Sequence, residues 1–334
     1  MKIAYVLYPV ACYNGPGDGI RMQADIWAKE LVRMGHQVDR ISPWGKYEWN
    51  QYDIIHVFGF GLWIYDLIHW GSGLNGNFVY SPIIDTNMPI WKYKLATYWG
   101  CSKLRLFSQN YAVRQLKKDV KMFFARTAFE ADYLRRGYGI ADDKIATVPL
   151  SFREDYYDET VEKEDFCLFV GTMTQSRKNV PNLIRAAKKY GFRLKLVGNK
   201  GNAASEDVLR KLIGNSSNIE LVGFVTNEEL IALYNRARVF ALPSLNEGVG
   251  LVALEAAIHG CNIVITNIGG PKEYYEENEA CLVNPHDIDD IGCAIMRAME
   301  NRISQPHLRE NIIRKYNVTT CVQRLLDSYA KVSK

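Results

Sequence analysis

The sequence has 334 residues, 48% of them hydrophobic and 23% charged, which suits two ordinary α/β cores and lies outside the disordered range. No run approaches the ~20 apolar residues of a bilayer-spanning helix. The seven cysteines (Cys12, Cys101, Cys167, Cys261, Cys281, Cys293, Cys321) are scattered, odd in number and free of any Cys-x-x-Cys pair, so neither a disulfide framework nor a zinc site is indicated and they read as small core residues.

In chain order, residues 2–8 read as a buried strand rather than a signal sequence, so a cytoplasmic protein is expected. Short β-rich apolar runs follow at 37–41, 53–58, 78–84, 121–125 and 145–148. They resume at 166–170, 193–197, 219–222, 239–242, 262–266 and 280–283. Longer amphipathic stretches separate them, which is the pattern of parallel sheets with crossover helices, hence an α/β class with a doubly wound sheet in each half. Thr226-Asn227-Glu228-Glu229 is a capping box, and Gly35, Gly191 and Gly260 stand where helices should stop. The charge-rich region 151–165 is placed as the linker, giving domains 1–155 and 156–316, with 317–334 holding one further helix.

The net charge of +4 is unevenly spread. Residues 86–126 carry nine basic side chains against Asp119 alone, a balance of +8 that leaves −4 for the remainder. Trp91, Tyr93, Tyr98, Trp99, Phe107, Tyr111, Phe123 and Phe124 are interleaved with those charges. The mixture suits anionic lipid headgroups or a charged acceptor, and peripheral contact with the inner face of a membrane through residues 91–126 is one expectation. A solvated helix face is the other. No nucleic-acid partner is expected.

Ligands of open α/β sheets bind beyond the carboxyl ends of the strands, and the glycines of this sequence concentrate there. Gly15-Pro16-Gly17-Asp18-Gly19 follows the first strand and can bring backbone close to a phosphate, although a plain turn explains it as well. His56 ends the third strand and can face a ligand or serve as a hydrogen-bonded structural histidine. Arg177 and Lys178 precede a helix opening with Asn179, an arrangement suited to clamping a diphosphate. Gly248 and Gly250 bare the backbone at another helix start. On a continuous helix Glu255 would lie about 12 Å and about 80° from Glu247, so that both carboxylates line one elongated ligand. Asp287-Ile288-Asp289 has the form of a metal motif, but it follows Pro285 at a helix start, where capping explains it better.

The run from Leu242 to Ala256, Leu-Pro-Ser-Leu-Asn-Glu-Gly-Val-Gly-Leu-Val-Ala-Leu-Glu-Ala, resembles the donor-site signature of retaining GT-B glycosyltransferases (family GT4, glycosyltransferase group 1). Phe169-Val170-Gly171 through Arg177-Lys178-Asn179, Leu221-Val222-Gly223-Phe224 and Gly269-Gly270-Pro271-Lys272-Glu273 fit the same family in the same order. The first half is more weakly similar, through its glycine loop, Gly35-His36 and Asp53-Ile54-Ile55-His56.

The resemblance implies a GT-B architecture: two Rossmann-like doubly wound domains facing a central cleft, with the last helix returning to the first domain. It implies a retaining transfer of a hexose-type sugar from a UDP-, GDP- or ADP-sugar to a glycan or lipid-linked acceptor, in polysaccharide or glycoconjugate synthesis, with no cofactor and no metal. Arg177, Lys178 and Glu247 would do the catalytic work. Gly19, Gly171, Thr172, Gly223, Phe224, Val225, Gly248, Val249, Gly250, Leu251 and Glu255 would bind the donor, Glu255 through the ribose. The family often has arginine where this chain has Thr172, and a histidine in the region of Ser81 to Asn87, so Asp85 or Asn87 is assigned the sugar or acceptor contact, alongside His56. A nucleotide-sugar epimerase of the same fold, a non-catalytic nucleotide-binding subunit and a nicotinamide dehydrogenase are the rival readings.

Overall fold

The computed structural model describes residues 1–7, 19–104, 106–153, 160–300 and 307–333. The chain forms two compact units, Met1–Ser151 with Val318–Lys334, and Phe152–Asn317.

The first unit is built on β1 (Lys2–Leu7), β2 (Gln37–Arg40), β3 (Ile54–Phe58), β4 (Phe78–Ser81), β7 (Met122–Ala125) and β8 (Ile145–Thr147), in spatial order β2-β1-β3-β4-β7-β8. Every pairing in this sheet is parallel. All residues of β3, β4 and β7 are buried, as strands covered on both faces must be. The helices are α1 (Gly19–Arg33), α2 (Trp63–Gly71), α3 (Ile90–Ala96), α4 (Gln109–Gln115) and α5 (Ala128–Asp132). Strand β4 stops short of the expected residue 84. Pro82 has no N–H for the ladder, and Ile83 takes a left-handed φ of 58°, which a β-branched side chain resists. A two-residue antiparallel ribbon, β5 (Gly100–Cys101) with β6 (Leu106–Phe107), was absent from the sequence reading, being too short to show alternation.

The last helix, α12 (Val318–Val332), belongs to this unit. Its amphipathic face buries Cys321, Val322, Leu325 and Tyr329. Thr319 donates to Glu30 of α1 at 2.7 Å, beside the Arg33 guanidinium. Deeper in, the Tyr329 hydroxyl lies 2.5 Å from His56 Nδ1 and 3.3 Å from the Tyr5 hydroxyl, while His56 Nε2 meets Ser81 Oγ at 2.8 Å. Burial drives the His56 pKa well below the usual histidine value, so the ring is neutral, one nitrogen donating and the other accepting.

The second unit repeats the plan with β9 (Glu164–Val170), β10 (Leu194–Val197), β11 (Ile219–Gly223), β12 (Ala237–Leu242), β13 (Asn262–Thr266) and β14 (Cys281–Val283), ordered β11-β10-β9-β12-β13-β14 and parallel throughout. Its helices are α6 (Val180–Tyr190), α7 (Ala203–Ile213), α8 (Asn227–Arg236), α9 (Leu251–Ile258), α10 (Ile288–Glu300) and α11 (Leu308–Tyr316). The reversal of strand order falls between β9 and β12, the switch point where such sheets bind ligands. Thr226 and Glu229 form the reciprocal capping box on α8, and Gly191 ends α6 in the left-handed conformation. Among the described residues no helix is long and apolar enough to cross a membrane.

Tyr329→Phe removes the hydroxyl that His56 and Tyr5 share, and should cost about 1–3 kcal/mol, read as a lower urea midpoint. The neutral state of His56 also sets a pH dependence. Its folded pKa lies below the unfolded value of about 6.5, so its contribution is present above that pH and is lost as pH falls. Urea midpoints should therefore drop between pH 7.5 and 5.5, less steeply in His56→Gln.

Candidate functional site

In the second unit the loops beyond adjacent strand ends are knitted in the order of the sheet. Gly198 N–H, after β10, donates to the carbonyl of Gly223 at 2.8 Å, and Gly171 N–H, after β9, donates to Val197 at 3.0 Å. Met173 N–H reaches Asn199 O at 2.8 Å, and Leu245 N–H, after β12, reaches Arg177 O at 2.7 Å. Gly198 is irreplaceable on geometry alone, because its φ is 116° and an added Cβ would lie 2.3 Å from the carbonyl oxygen of Gly171. Phe224, next to Gly223, is 77% exposed, an uncommon placement for a phenyl ring.

This knitting brings together Arg177, Lys178 and Glu247. Lys178 Nζ donates to Glu247 Oε2 in a short ion pair, Arg177 Nη1 stands 3.5 Å from the same oxygen, and Ser244 Oγ lies 3.4 Å from it. The Lys178 and Glu247 side chains retain about a tenth of their exposure, whereas that of Arg177 is 38% exposed. Asn179 holds the turn that carries both cations. It sits at φ 58°, a conformation asparagine tolerates, and its buried amide donates to the carbonyls of Pro243 at 2.9 Å and Pro285 at 2.6 Å. Three strand-end segments, after β9, β12 and β14, are thereby pinned by one side chain.

Glu247 lies in the loop, and α9 begins only at Leu251, because Gly250 adopts a left-handed φ of 78° as its N-cap. The expected relation of Glu247 and Glu255 along one helix is thus corrected: the left-handed glycine breaks it. Gly248 is half-buried, and the Val249 side chain packs inward at 3% exposure, so Val249 offers a ligand only its backbone. Glu255, on α9, is 2% exposed and held by Arg153, with Nε to Oε1 at 2.6 Å and Nη2 to Oε2 at 2.9 Å. The Tyr234 hydroxyl approaches Oε2 at 3.4 Å. Stacked on Tyr234 is His259, whose pKa is pushed down to about 4 by burial and by Lys163, Arg309 and Arg153.

With this arrangement in place, the family profile described as Glycosyl transferases group 1 matches residues 154–315. Residues 154–315 belong to the group 1 glycosyltransferases. O-antigen chain mannosyltransferase B of Escherichia coli is 27% identical over 202 residues, a stretch that covers 54% of this chain and about half, 52%, of that protein. Sucrose-phosphate synthase from Thermosynechococcus elongatus superposes with a TM-score of 0.76 at 15% identity, over 99% of both chains. Anabaena HepE, solved in complex with UDP, superposes at 0.72 and 14% identity, over 99% of this chain and 100% of its own. At such identities the structures speak for the fold, which is that of the GT-B glycosyltransferases.

Around the group 1 domain the remaining expectations divide. Asp287 caps α10, accepting from Asp289 N at 2.9 Å and Asp290 N at 3.2 Å, and Asp289 pairs with Lys189. In the first unit, Gly19 starts α1, while Gly15 to Asp18 lie outside the described residues. His56 is corrected from ligand contact to structural histidine, since it is fully buried and both its nitrogens are engaged inside the core. Asp85 and Asn87 follow the strained turn at Ile83. Asp85 is ion-paired at 2.7 Å with Arg126, which also binds Glu130, and Glu130 accepts from the backbone of Ile84 and Arg126. The basic, aromatic stretch is also corrected in part. Tyr93, Phe123 and Phe124 are core, and Arg126 is committed to its acids. Sequence reasoning gave no structural role to Asn179 and did not single out Arg153. A polar residue required at left-handed φ marks the first, and nothing local marks the second.

Asn179→Ala should take the Asn179 donor from the Pro243 carbonyl, leave that of Pro285 with the longer bond from Asn182 Nδ2 at 3.2 Å, and place alanine at positive φ. A loss of about 2–4 kcal/mol in urea unfolding of the second unit is expected. Asn179→Gly, which restores the backbone but not the amide, should recover only part of it.

Proposed function

We propose that the protein is a retaining glycosyltransferase that moves a hexose-type sugar from a nucleotide-sugar to a glycan or lipid-linked acceptor in polysaccharide synthesis. The convergence of Lys178, Arg177 and Glu247 on the strand-end loops of the group 1 domain carries this reading. Arg177 and Lys178 neutralise the donor diphosphate beside the N-terminus of α9, the work a divalent metal does elsewhere. Glu247, steered by Lys178, accepts hydrogen bonds from the sugar hydroxyls. Glu255 holds the ribose, and the exposed Phe224 offers a ring to the base. The bond from the anomeric carbon to the diphosphate breaks as the acceptor oxygen bonds on the same face, and the acceptor proton passes to the departing phosphate oxygen. Mannose is the sugar to try first, because the O-antigen relative is a mannosyltransferase by name. Asp85 or Asn87, which follow the strained turn after β4, are our candidates for the sugar or acceptor contact.

We further propose that the protein works at the inner, cytoplasmic face of a membrane. Trp91, Leu95, Tyr98, Trp99, Leu104 and Leu106 are six of the fifteen exposed large hydrophobic side chains among the described residues. Exposed Lys92, Lys94 and Lys103 stand among them, and Arg114 stacks on the Tyr98 ring at 3.5 Å. Apolar anchors mixed with cations suit an anionic lipid surface.

A thermal-shift screen with UDP-, GDP- and ADP-sugars should raise the melting temperature for one donor class. With that donor, transfer should continue in EDTA and yield the donor's anomeric configuration by NMR. Lys178→Ala should lower kcat by about 10²–10³, while inverted product or EDTA-abolished transfer would refute the mechanism. Separately, Trp99→Ser with Leu106→Ser should weaken cosedimentation with phosphatidylglycerol vesicles without altering donor binding. Undiminished sedimentation would remove the membrane role.

A further inference from the structure

Arg153 lies two residues beyond the point at which the chain leaves the first unit, and it is the partner of the carboxylate assigned to the ribose. Its guanidinium presents two parallel N–H donors, one to each oxygen of Glu255. A ribose cis-diol presents the same pattern, two neighbouring O–H donors directed at one carboxylate. Glu255 is 2% exposed in this arrangement, with the Tyr234 hydroxyl beside Oε2, so a diol has no open approach to it while the fork is in place. The Arg153 side chain is 26% exposed, and a guanidinium withdrawn into water keeps its charge solvated.

Resting on the assignment of Glu255 to the ribose, we infer that Arg153 stands in for the ribose diol in the nucleotide-free protein and is displaced when the donor binds. The exchange keeps the buried carboxylate satisfied in both states, by a cation before binding and by two hydroxyls after it. It also makes nucleotide affinity the difference between two interactions of Glu255. The arginine therefore lowers affinity rather than supporting it.

The test is isothermal titration at a single pH, the same for every variant and nucleotide. The probes are whichever of UDP, GDP and ADP most raises the melting temperature, and its 2′-deoxy counterpart. Arg153→Gln should bind the ribonucleotide roughly five- to tenfold tighter than wild type, with a clearly smaller gain for the 2′-deoxy nucleotide. Arg153→Lys, which keeps the charge but not the fork, should fall between them, and it carries the test if Arg153→Gln shows no cooperative melt. Unchanged or weaker ribonucleotide binding in both variants would overturn the inference and make Arg153 a support for Glu255. An equal gain for both nucleotides would overturn it too, because the effect would not pass through the diol. The ribose assignment fails separately, on wild type and Glu255→Gln alone, if the first binds both nucleotides alike and the second matches it.

Discussion

A carboxylate withdrawn from water must be given a cation or several donors, and the second unit is organised around two of them. Glu247 is held by Lys178 with Arg177 close by, and Glu255 by the fork of Arg153. Each pair joins segments distant in sequence, so each also fixes backbone. The Lys178 pair binds the turn after β9 to the loop after β12, across the point where strand order reverses. The Arg153 pair ties α9 to the segment at which the unit begins. Satisfying two charges withdrawn from water and joining these segments are thus one event.

Much of the fold was legible because buried parallel strands must be short, apolar and β-rich. All twelve strands of the two large sheets fall on runs visible in the sequence, with ends displaced by one or two residues in most cases. The greater miss, at β4, has a local cause in Pro82 and the left-handed Ile83. The β5–β6 ribbon escaped notice since two residues per strand leave no periodicity to detect. At the candidate site, the residue types around Arg177, Lys178 and Glu247 were legible, but their contacts were not. Arg153 sits in a charge-rich stretch like any linker arginine, and only the fold brings Glu255 to it across 102 positions of sequence. His56 shows the opposite failure: a polar residue closing an apolar strand is equally at home facing a ligand or facing a tyrosine hydroxyl from a distant helix.

The first unit contributes strain where the second contributes charge. Ile83 holds a backbone conformation that β-branched side chains avoid, and Glu130 keeps it there by accepting the N–H groups of Ile84 and Arg126 while binding the Arg126 guanidinium. The result is a rigid exit from β4 that carries Asp85 on Arg126.

Tyr329 has a consequence for the order in which the molecule can be made. It completes the hydrogen bonds of Tyr5 and His56, residues more than 270 positions earlier, and α12 covers that part of the first sheet. On a ribosome the first unit therefore waits, with Tyr5 and His56 still lacking their final partner, until the whole second unit has been synthesised. The unit that begins first finishes last, and the second unit can fold as an uninterrupted stretch while its predecessor remains open.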